Sequence, residues 1–469
     1  MSDGAAGTEG VPLFQAHRKV YPREVSGRFA RLRTAASLVL LGLYYGLPWL
    51  QWNGRQAVLF DLPARKFHLF ALTLWPQDFL YLAWLLILAA LTLFFVTAVA
   101  GRVWCGFACP QTVWTEAFLA LERLADGDRP RRLKLDRVPW TREWLARKTA
   151  KQVLWISFAG FTGFSFVAYF TPARELWSEL LNLQLGGWET FWILFYGFAT
   201  YGNAGFLREQ VCLYMCPYAR FQSAMFDEDT LVVSYDAARG ERRGPRARGV
   251  NPKSAGLGDC VDCTICVQVC PTGIDIRQGL QYECIACAAC VDACDGVMAR
   301  VGYEPGLIRY ATEREFTGAK TRYFRPRVLI YGGLLAALAI GFVLSLTLRQ
   351  PIGLDVLRDR NAFYRVLPGG SVENVYSLRI LNKDNRAHRY LIEVQPADVL
   401  QVDAEPVDVG AGEVRAVPAR IRVRAEDIAS APQDLTISVR VVDTPSLVAR
   451  RATRFFVPEL EDHDDEDQH

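Results

Sequence analysis

The sequence predicts a multi-domain membrane protein with three kinds of part: about five transmembrane α-helices, a cysteine-rich module on one face and an all-β domain on the other. Three observations predict it. Uncharged apolar runs of membrane-spanning length recur along the first three quarters of the chain. Eight cysteines fall at a repeated spacing between Cys260 and Cys294. After residue 366 the pattern changes to two-residue alternation. The 469 residues suffice for two or three domains, and a net charge of +3 gives no support to nucleic-acid binding. A 51% hydrophobic composition with 22% charged residues fits an apolar part joined to polar ones.

The apolar runs cover 35–50, 79–100, 152–170, 188–207 and 328–348. A run of about 17–25 apolar residues is a candidate span. The first is short, and the fourth carries Glu189 and Asn203. Residues 1–33 are polar and basic and lack the apolar core and small-residue cleavage site of a secretory signal. Lys and Arg number 6 in residues 1–33, 3 in 51–77, 11 in 101–151, 1 in 171–187 and 16 in 208–327. Positively charged loops stay in the cytoplasm. The N-terminus, the 101–151 loop and the cysteine-rich segment are therefore expected inside, and the region after residue 348 outside. Residues 236–256 are rich in Arg and Gly and read as a flexible approach to that segment, close to lipid headgroups.

The cysteine-rich segment reads C-x2-C-x2-C-x3-C twice: Cys260, Cys263, Cys266 and Cys270, then Cys284, Cys287, Cys290 and Cys294. Three closely spaced thiolates wrap three corners of one iron–sulfur cubane, and the fourth cysteine crosses to the other cluster. The spacing therefore predicts a bacterial-type double-cluster ferredoxin module with two 4Fe–4S clusters. Cys260, Cys263, Cys266 and Cys294 are assigned to one, and Cys284, Cys287, Cys290 and Cys270 to the other. Pro271 completes the first run; Asp295 stands where the second would have proline. Paired structural zinc sites are the alternative, but those spread their Cys pairs about 12–20 residues apart. Disulfides are disfavoured on a cytosolic face.

The remaining four cysteines form a second constellation. Cys105 and Cys109 with Pro110 follow the second apolar run; Cys212 and Cys216 with Pro217 follow the fourth. Both read C-x3-C-P, 107 residues apart, with Trp114 matching Phe221, as in a duplicated membrane hairpin. Cysteines four apart share a helix face, and the proline is expected to end or kink that helix. Two such pairs could converge on one four-thiolate site, and thiolates select Cu(I), zinc or an iron–sulfur centre. Met215 offers a thioether suited to Cu(I). Cys105, Cys109, Cys212, Cys216 and Met215 are the candidate metal-handling residues.

Beyond residue 366, short alternating runs separated by Asn-Lys-Asp, Pro-Ala-Asp and Gly-Ala-Gly turns predict a C-terminal all-β immunoglobulin-like sandwich without a disulfide. The last eleven residues form an acidic tail carrying His463 and His469. No histidine lies in the apolar runs, which argues against a transmembrane bis-histidine haem. Neither a dinucleotide-binding glycine motif nor a P-loop is present.

Taken together, the two C-x3-C-P hairpins, the inside double ferredoxin motif, the last span and the outside β-domain resemble the CcoG/FixG family of cytochrome c oxidase accessory proteins, the polyferredoxins. The resemblance covers nearly the whole chain. It implies a bacterial inner-membrane protein that assists assembly of cbb3-type cytochrome c oxidase by reducing Cu(II) to Cu(I) at the cytoplasmic face. It implies as partners membrane lipid, a cytosolic electron donor, a copper-exporting ATPase and the oxidase subunits. Carried over, Cys105, Cys109, Cys212 and Cys216 would handle copper or deliver electrons, and the eight ferredoxin cysteines would hold the clusters. Two other readings stand beside it: an electron-transfer subunit exchanging electrons with quinone or a partner reductase, and an oxidase-assembly scaffold. The expected layout is a cytoplasmic N-terminus (1–33), a four-helix membrane domain (34–227), the ferredoxin domain (228–325), a fifth transmembrane helix (326–349), a periplasmic immunoglobulin-like domain (350–458) and the acidic tail (459–469).

Overall fold

All five apolar runs fold as helices in the computed structural model, which describes residues 19–246, 256–359, 363–384 and 386–458. The start of the N-terminal segment (1–18), residues 247–255 and the acidic tail with His463 and His469 lie outside the described residues. The chain divides into two units, one of residues up to 70 with 74–339, the other of 71–73 with residues from 340 onward.

In the first unit the helices are Arg28–Gly46, Phe79–Ala100, Arg142–Val167 and Gly187–Thr200, and a fifth, Pro326–Thr347, leads out of it. Among the described residues, Phe79–Ala100 and Pro326–Thr347 are long and apolar enough to cross a membrane. Arg142–Val167 starts on Thr141, whose hydroxyl accepts the Trp144 amide and satisfies one of the free donors of the first turn. This helix packs closely on Gly187–Thr200. A Cβ on Gly163 would lie 2.2 Å from the Ile193 carbonyl oxygen, so only glycine permits the approach. The fourth run is not one uniform helix: after Thr200 it widens into π-type turns over Tyr201–Leu207. Such widened turns concentrate at functional sites.

The cysteine-rich segment is built on two helices, Ile265–Gln268 and Ala289–Val301, and on an antiparallel ribbon of Val232–Tyr235 with Ile308–Ala311. Val233, Ile276, Val291 and Ile308 form its small core. The approach to this segment, expected to be flexible, is anchored as far as residue 246. Arg239 pairs with Asp259 at 2.6 Å and donates to the Pro305 carbonyl, while the Gly244 amide donates to the Cys260 carbonyl. Arginines in a Gly-rich stretch read as solvated; here they are the fastening.

The second unit holds a β-sandwich. One sheet runs Leu400–Asp403, Val414–Val423, Val372–Asn382, Ile352–Arg358, with Arg365–Val366 also on Val372–Asn382; the other runs Val407–Val409, His388–Gln395, Asp434–Val441, Val448–Arg454. Alternation buries Tyr390, Ile392 and Val394 on one strand against Leu378, Ile380 and Ile421 of the facing sheet. The two inner faces thus form an apolar core of the immunoglobulin kind.

Candidate functional site

The two ferredoxin cysteine runs adopt the same local backbone. In the first, Asp262 and Thr264 have φ of 53° and 55°; in the second, Ala286 and Ala288 have 52° and 56°. These are the second and fourth residues after the leading cysteine in each case. Four non-glycine residues in the left-handed region cost roughly 1 kcal/mol each, strain that persists where a site demands it. Successive backbone amides in such a conformation form a concavity that receives anions. The Ala286 amide donates to Cys284 Sγ at 3.4 Å.

Two cavities follow from these loops. One is lined by Cys260, Cys263, Cys266 and Cys294 together with Tyr235 and Arg277. The other is lined by Cys270, Cys284, Cys287 and Cys290, with Cys266 at its edge. Each is otherwise walled mainly by Ile, Val and Ala. A set of four sulfur ligands, inward amides and dry apolar walls fits an iron–sulfur cage, whose charge needs donors and whose stability needs exclusion of water. Burial pushes the Cys287 and Cys294 thiols up to about 12, so metal must displace their protons. All twelve cysteines are free of disulfides. Among the described residues no three His, Cys, Asp or Glu side chains are placed to hold a single metal ion.

The C-x3-C-P pairs do not lie on continuous helices. Cys105 is in the short helix Val103–Phe107, whereas Cys109 is the extended residue (φ −61°, ψ 128°) before the helix Pro110–Asp126. Cys212 is in the π-type turn Val211–Met215, and Cys216 (φ −82°, ψ 109°) precedes the helix Pro217–Ser223. Each proline therefore opens the next helix instead of ending the previous one. Proline suits the first helical position, and it drives the residue before it into extended backbone. Each second cysteine thus sits at a helix N-terminus, where negative charge is favoured.

The repeat extends to the backbone. Gly101 (φ 54°, ψ −119°) and Arg208 (φ 42°, ψ −110°), again 107 apart, make the same unusual turn. The halves grip each other reciprocally. Gln111 donates to the carbonyls of Asn203 and Arg208, and Gln222 donates to the Gly101 carbonyl while accepting from the Cys105 thiol at 3.6 Å. The pairs come within electrostatic reach of each other, but among the described residues no three of these thiols converge to hold one metal ion, so the expected four-thiolate site is not assembled. Burial, then the charges of Cys109, Cys105 and Cys216, pushes Cys212 up to about 12. Burial and Cys109 raise Cys105 to about 11, against the pull of Arg102. Met215 is 61% exposed, outside this buried set.

The thiol pairs and the second cavity are neighbours. A Cβ on Gly106, between Cys105 and Cys109, would fall 2.8 Å from the Ile285 carbonyl oxygen and 2.9 Å from Cys287 Cα. Buried Arg102 donates to the carbonyls of Tyr282, Cys284 and Ala219, and buried Arg33 to the carbonyl of Cys287. A cavity of about 140 Å³ beside them is bordered by both Cys212 and Cys287, with Arg33, Arg123 and Arg208 in its wall. Sequence reasoning missed Arg33, Arg102, Gly106 and Gln222. The one available signal was Gly106 standing where its counterpart 107 residues on is Leu213.

Below them lies a buried ionic cluster. Glu122, 1% exposed, receives Arg132 at 3.2 Å, Arg208 at 2.9 Å and Lys151 at 3.7 Å. Burial alone would raise its carboxyl, but Arg208, Lys151 and Arg132 hold it below the usual carboxylate range. Arg208 opens the second thiol turn, so this cluster fixes where that turn begins.

Comparison with known proteins agrees with this architecture. Residues 207–313 match a family described as a 4Fe-4S dicluster domain, residues 82–124 a 4Fe-4S binding domain, and residues 342–458 the IG-like fold at the C-terminus of FixG. The chain is 40% identical over 459 residues to the nitrogen fixation protein FixG of Rhizobium meliloti, covering 88% of this chain and 87% of that one. It is 41% identical to protein RdxB of Cereibacter sphaeroides, covering 86% and 87%, and 40% identical to protein RdxA of the same organism, covering 84% and 86%. A crystal structure of a FixG-related protein from Vibrio parahaemolyticus aligns over 24% of this chain and all of its own, at 26% identity and a TM-score of 0.21. With its dicluster segment, its C-terminal immunoglobulin-like fold and relatives that it matches along most of their length, the chain belongs to the FixG family of iron–sulfur proteins.

Proposed function

We propose that this protein is a multi-pass inner-membrane electron-transfer protein that reduces Cu(II) to Cu(I) at the cytoplasmic membrane face, in the service of cbb3-type oxidase assembly. Five helices span the membrane; the N-terminus and the cysteine-rich segment are cytoplasmic, and the β-sandwich is periplasmic. The charge asymmetry of the loops supports that orientation. Cys260, Cys263, Cys266 and Cys294 hold one 4Fe–4S cluster; Cys270, Cys284, Cys287 and Cys290 hold the other. When bound, these clusters supply one-electron storage and release. Cys105, Cys109, Cys212 and Cys216 bind the copper substrate. Soft sulfur ligands favour Cu(I) over Cu(II), so the thiol set pulls the metal toward the reduced state. The substrate gains one electron and no atoms, and a cytosolic donor replaces that electron. A copper-exporting ATPase and the oxidase are the downstream partners.

One observation carries this reading: the Cys105–Cys109 turn is packed backbone to backbone on the Cys287 loop, so thiol site and cluster site share a wall. The test adds Cu(II) and a Cu(I)-specific chelator to anaerobically purified, reduced protein. Cu(I) should form with the native chain and be lost when all four C-x3-C-P cysteines are changed to serine. Equal rates in both would overturn the role of the thiols. The cavity between Cys212 and Cys287 supports a second reading, in which a small electron carrier such as a quinone exchanges electrons there. Oxidation of the reduced protein by a short-chain quinone, with no copper requirement, would favour it.

A further inference from the structure

The two cysteine cavities share a backbone but not an electrostatic environment. Arg277 lines the first, and it is fully neutralised: its guanidinium pairs with Asp275 at 2.7 Å and with Asp262 at 2.5 Å. Asp295 adds a further carboxylate beside Cys294. The basic groups around this cavity, Arg239 and Arg243, are paired in turn with Asp259 and Glu241. The second cavity is held by Arg33 and Arg102, each less than a tenth exposed, both donating to backbone carbonyls of its loop. Among the described residues neither guanidinium is paired with a carboxylate. Glu283 on that loop is half-buried, and Asp292, two residues beyond Cys290, is buried with its carboxylate taken up by the Phe29 and Ala30 amides. Summed charge is therefore negative around the first cavity and close to balanced around the second, where the two cations donate to the loop's own carbonyls.

We infer that Arg33 and Arg102 raise the reduction potential of the site formed by Cys270, Cys284, Cys287 and Cys290 above that of the site formed by Cys260, Cys263, Cys266 and Cys294, so that electrons run from the first toward the C-x3-C-P thiols. This rests on the cluster-ligand assignment proposed above. A four-thiolate 4Fe–4S centre is anionic and gains one further negative charge on reduction, so unpaired buried cations favour its reduced form. Buried charges act in a medium of low dielectric, where they are screened least. Exposure works the other way, because water also favours the more charged form, and Cys263 is the exposed ligand. The half-exposed Asp262 is correspondingly screened. Arg33 and Arg102 prevail because they are two, buried and unpaired. One electron leaves the first site as one arrives at the second, and no proton or atom moves. Arg102 also lies within electrostatic reach of Cys105 and Cys212, so the same cation stands beside the next acceptor.

The test is a potentiometric titration of the anaerobically purified full chain, followed by electron paramagnetic resonance. Two one-electron waves are expected. Arg102→Gln should lower the upper wave alone, cutting the ratio of reduced to oxidised centre at a fixed potential at least tenfold, about a 59 mV shift for one electron. Arg33→Gln should move the same wave in the same direction, which keeps the test decisive if the first variant folds poorly. Arg102→Lys, which keeps the charge, should restore most of the shift, whereas loss of a merely structural contact would not be restored. Arg277→Gln should lower the other wave. If the waves move together, or if Arg102→Gln and Arg33→Gln leave the upper wave in place, the inference is overturned. Iron content separates the two levels of the argument: native protein with less iron than two full cubanes overturns the ligand assignment itself.

Discussion

The two C-x3-C-P turns are built alike and placed differently. Both put a cysteine before the proline that opens a helix, and both follow the same unusual backbone turn. The first turn carries Gly106 and is pressed against the Cys287 loop. The second carries Leu213 at that position and leaves Tyr214 and Met215 exposed at 49% and 61%. Duplication supplied two equivalent sulfur pairs. Their surroundings then diverged, so that one turn meets the interior of the ferredoxin segment and the other leaves its side chains exposed. Symmetry of sequence is thus compatible with a division of labour.

The largest expected way to break this comparison is Gly106→Val. The new side chain must displace the Ile285 and Ala286 carbonyls, 2.8 and 2.9 Å from its Cβ. Overpacking of this kind costs about 1–3 kcal/mol and more where backbone must move. Iron per chain and the electron paramagnetic resonance signal should fall, whereas Leu213→Val at the matching position should leave both within error. Equal losses would mean that the turns are equivalent after all.

Next comes Glu122→Ala, which strands Arg132, Arg208 and Lys151 in a buried site. Removing one partner of such a network costs about 3–5 kcal/mol. A lowered Tm should be accompanied by faster reaction of Cys212 than of Cys105 with a thiol reagent, because Arg208 opens the second turn. A smaller effect is pH-dependent. Glu122 and Asp136 both titrate below their ordinary values in the folded chain; for each, burial is outweighed by basic partners, with a Tyr21 hydrogen bond adding to the effect at Asp136. Their contribution is therefore complete well above about pH 5, where the unfolded groups are ionised, and is lost as pH falls toward the depressed folded values. The Tm gap between native protein and Glu122→Gln should be widest at neutral pH and shrink below pH 4. A gap that widens on acidification would contradict this sign.

The smallest effect tests the helix that carries Cys290 and Cys294. Asp292 accepts the amides of Phe29 and Ala30 at 3.1 and 2.6 Å, capping the helix Arg28–Gly46. Asp292→Ala should cost about 1 kcal/mol, the usual loss for an N-cap. Hydrogen exchange at those two amides should accelerate while the rest of the helix is unchanged.

Much of this was legible in the sequence, and the reasons are physical. Cysteine spacing is readable because ligand geometry constrains neighbours in the chain, and two-residue alternation is readable because a sandwich strand has one dry face. The C-x3-C-P turns were only half legible. Proline was read as a terminator, but its fixed φ serves equally to start a helix, and sequence alone does not say which side the helix lies on. The left-handed residues Asp262, Thr264, Ala286 and Ala288 carried no mark, since none is glycine. Arg33, Arg102 and the Glu122 cluster were invisible because their partners lie far along the chain, and a lone Arg or Glu reads as a solvated surface residue. The anchoring of residues 236–246 was misread for the same reason.

Asp292 also has a consequence for biogenesis. It stands between Cys290 and Cys294, whose sulfurs border different cavities, yet its carboxylate completes a helix 263 residues earlier. The leading helix is synthesised first but receives its cap only once the cysteine-rich segment has folded against it. The order in which the two segments fold thereby decides when the amino-terminal end is secured.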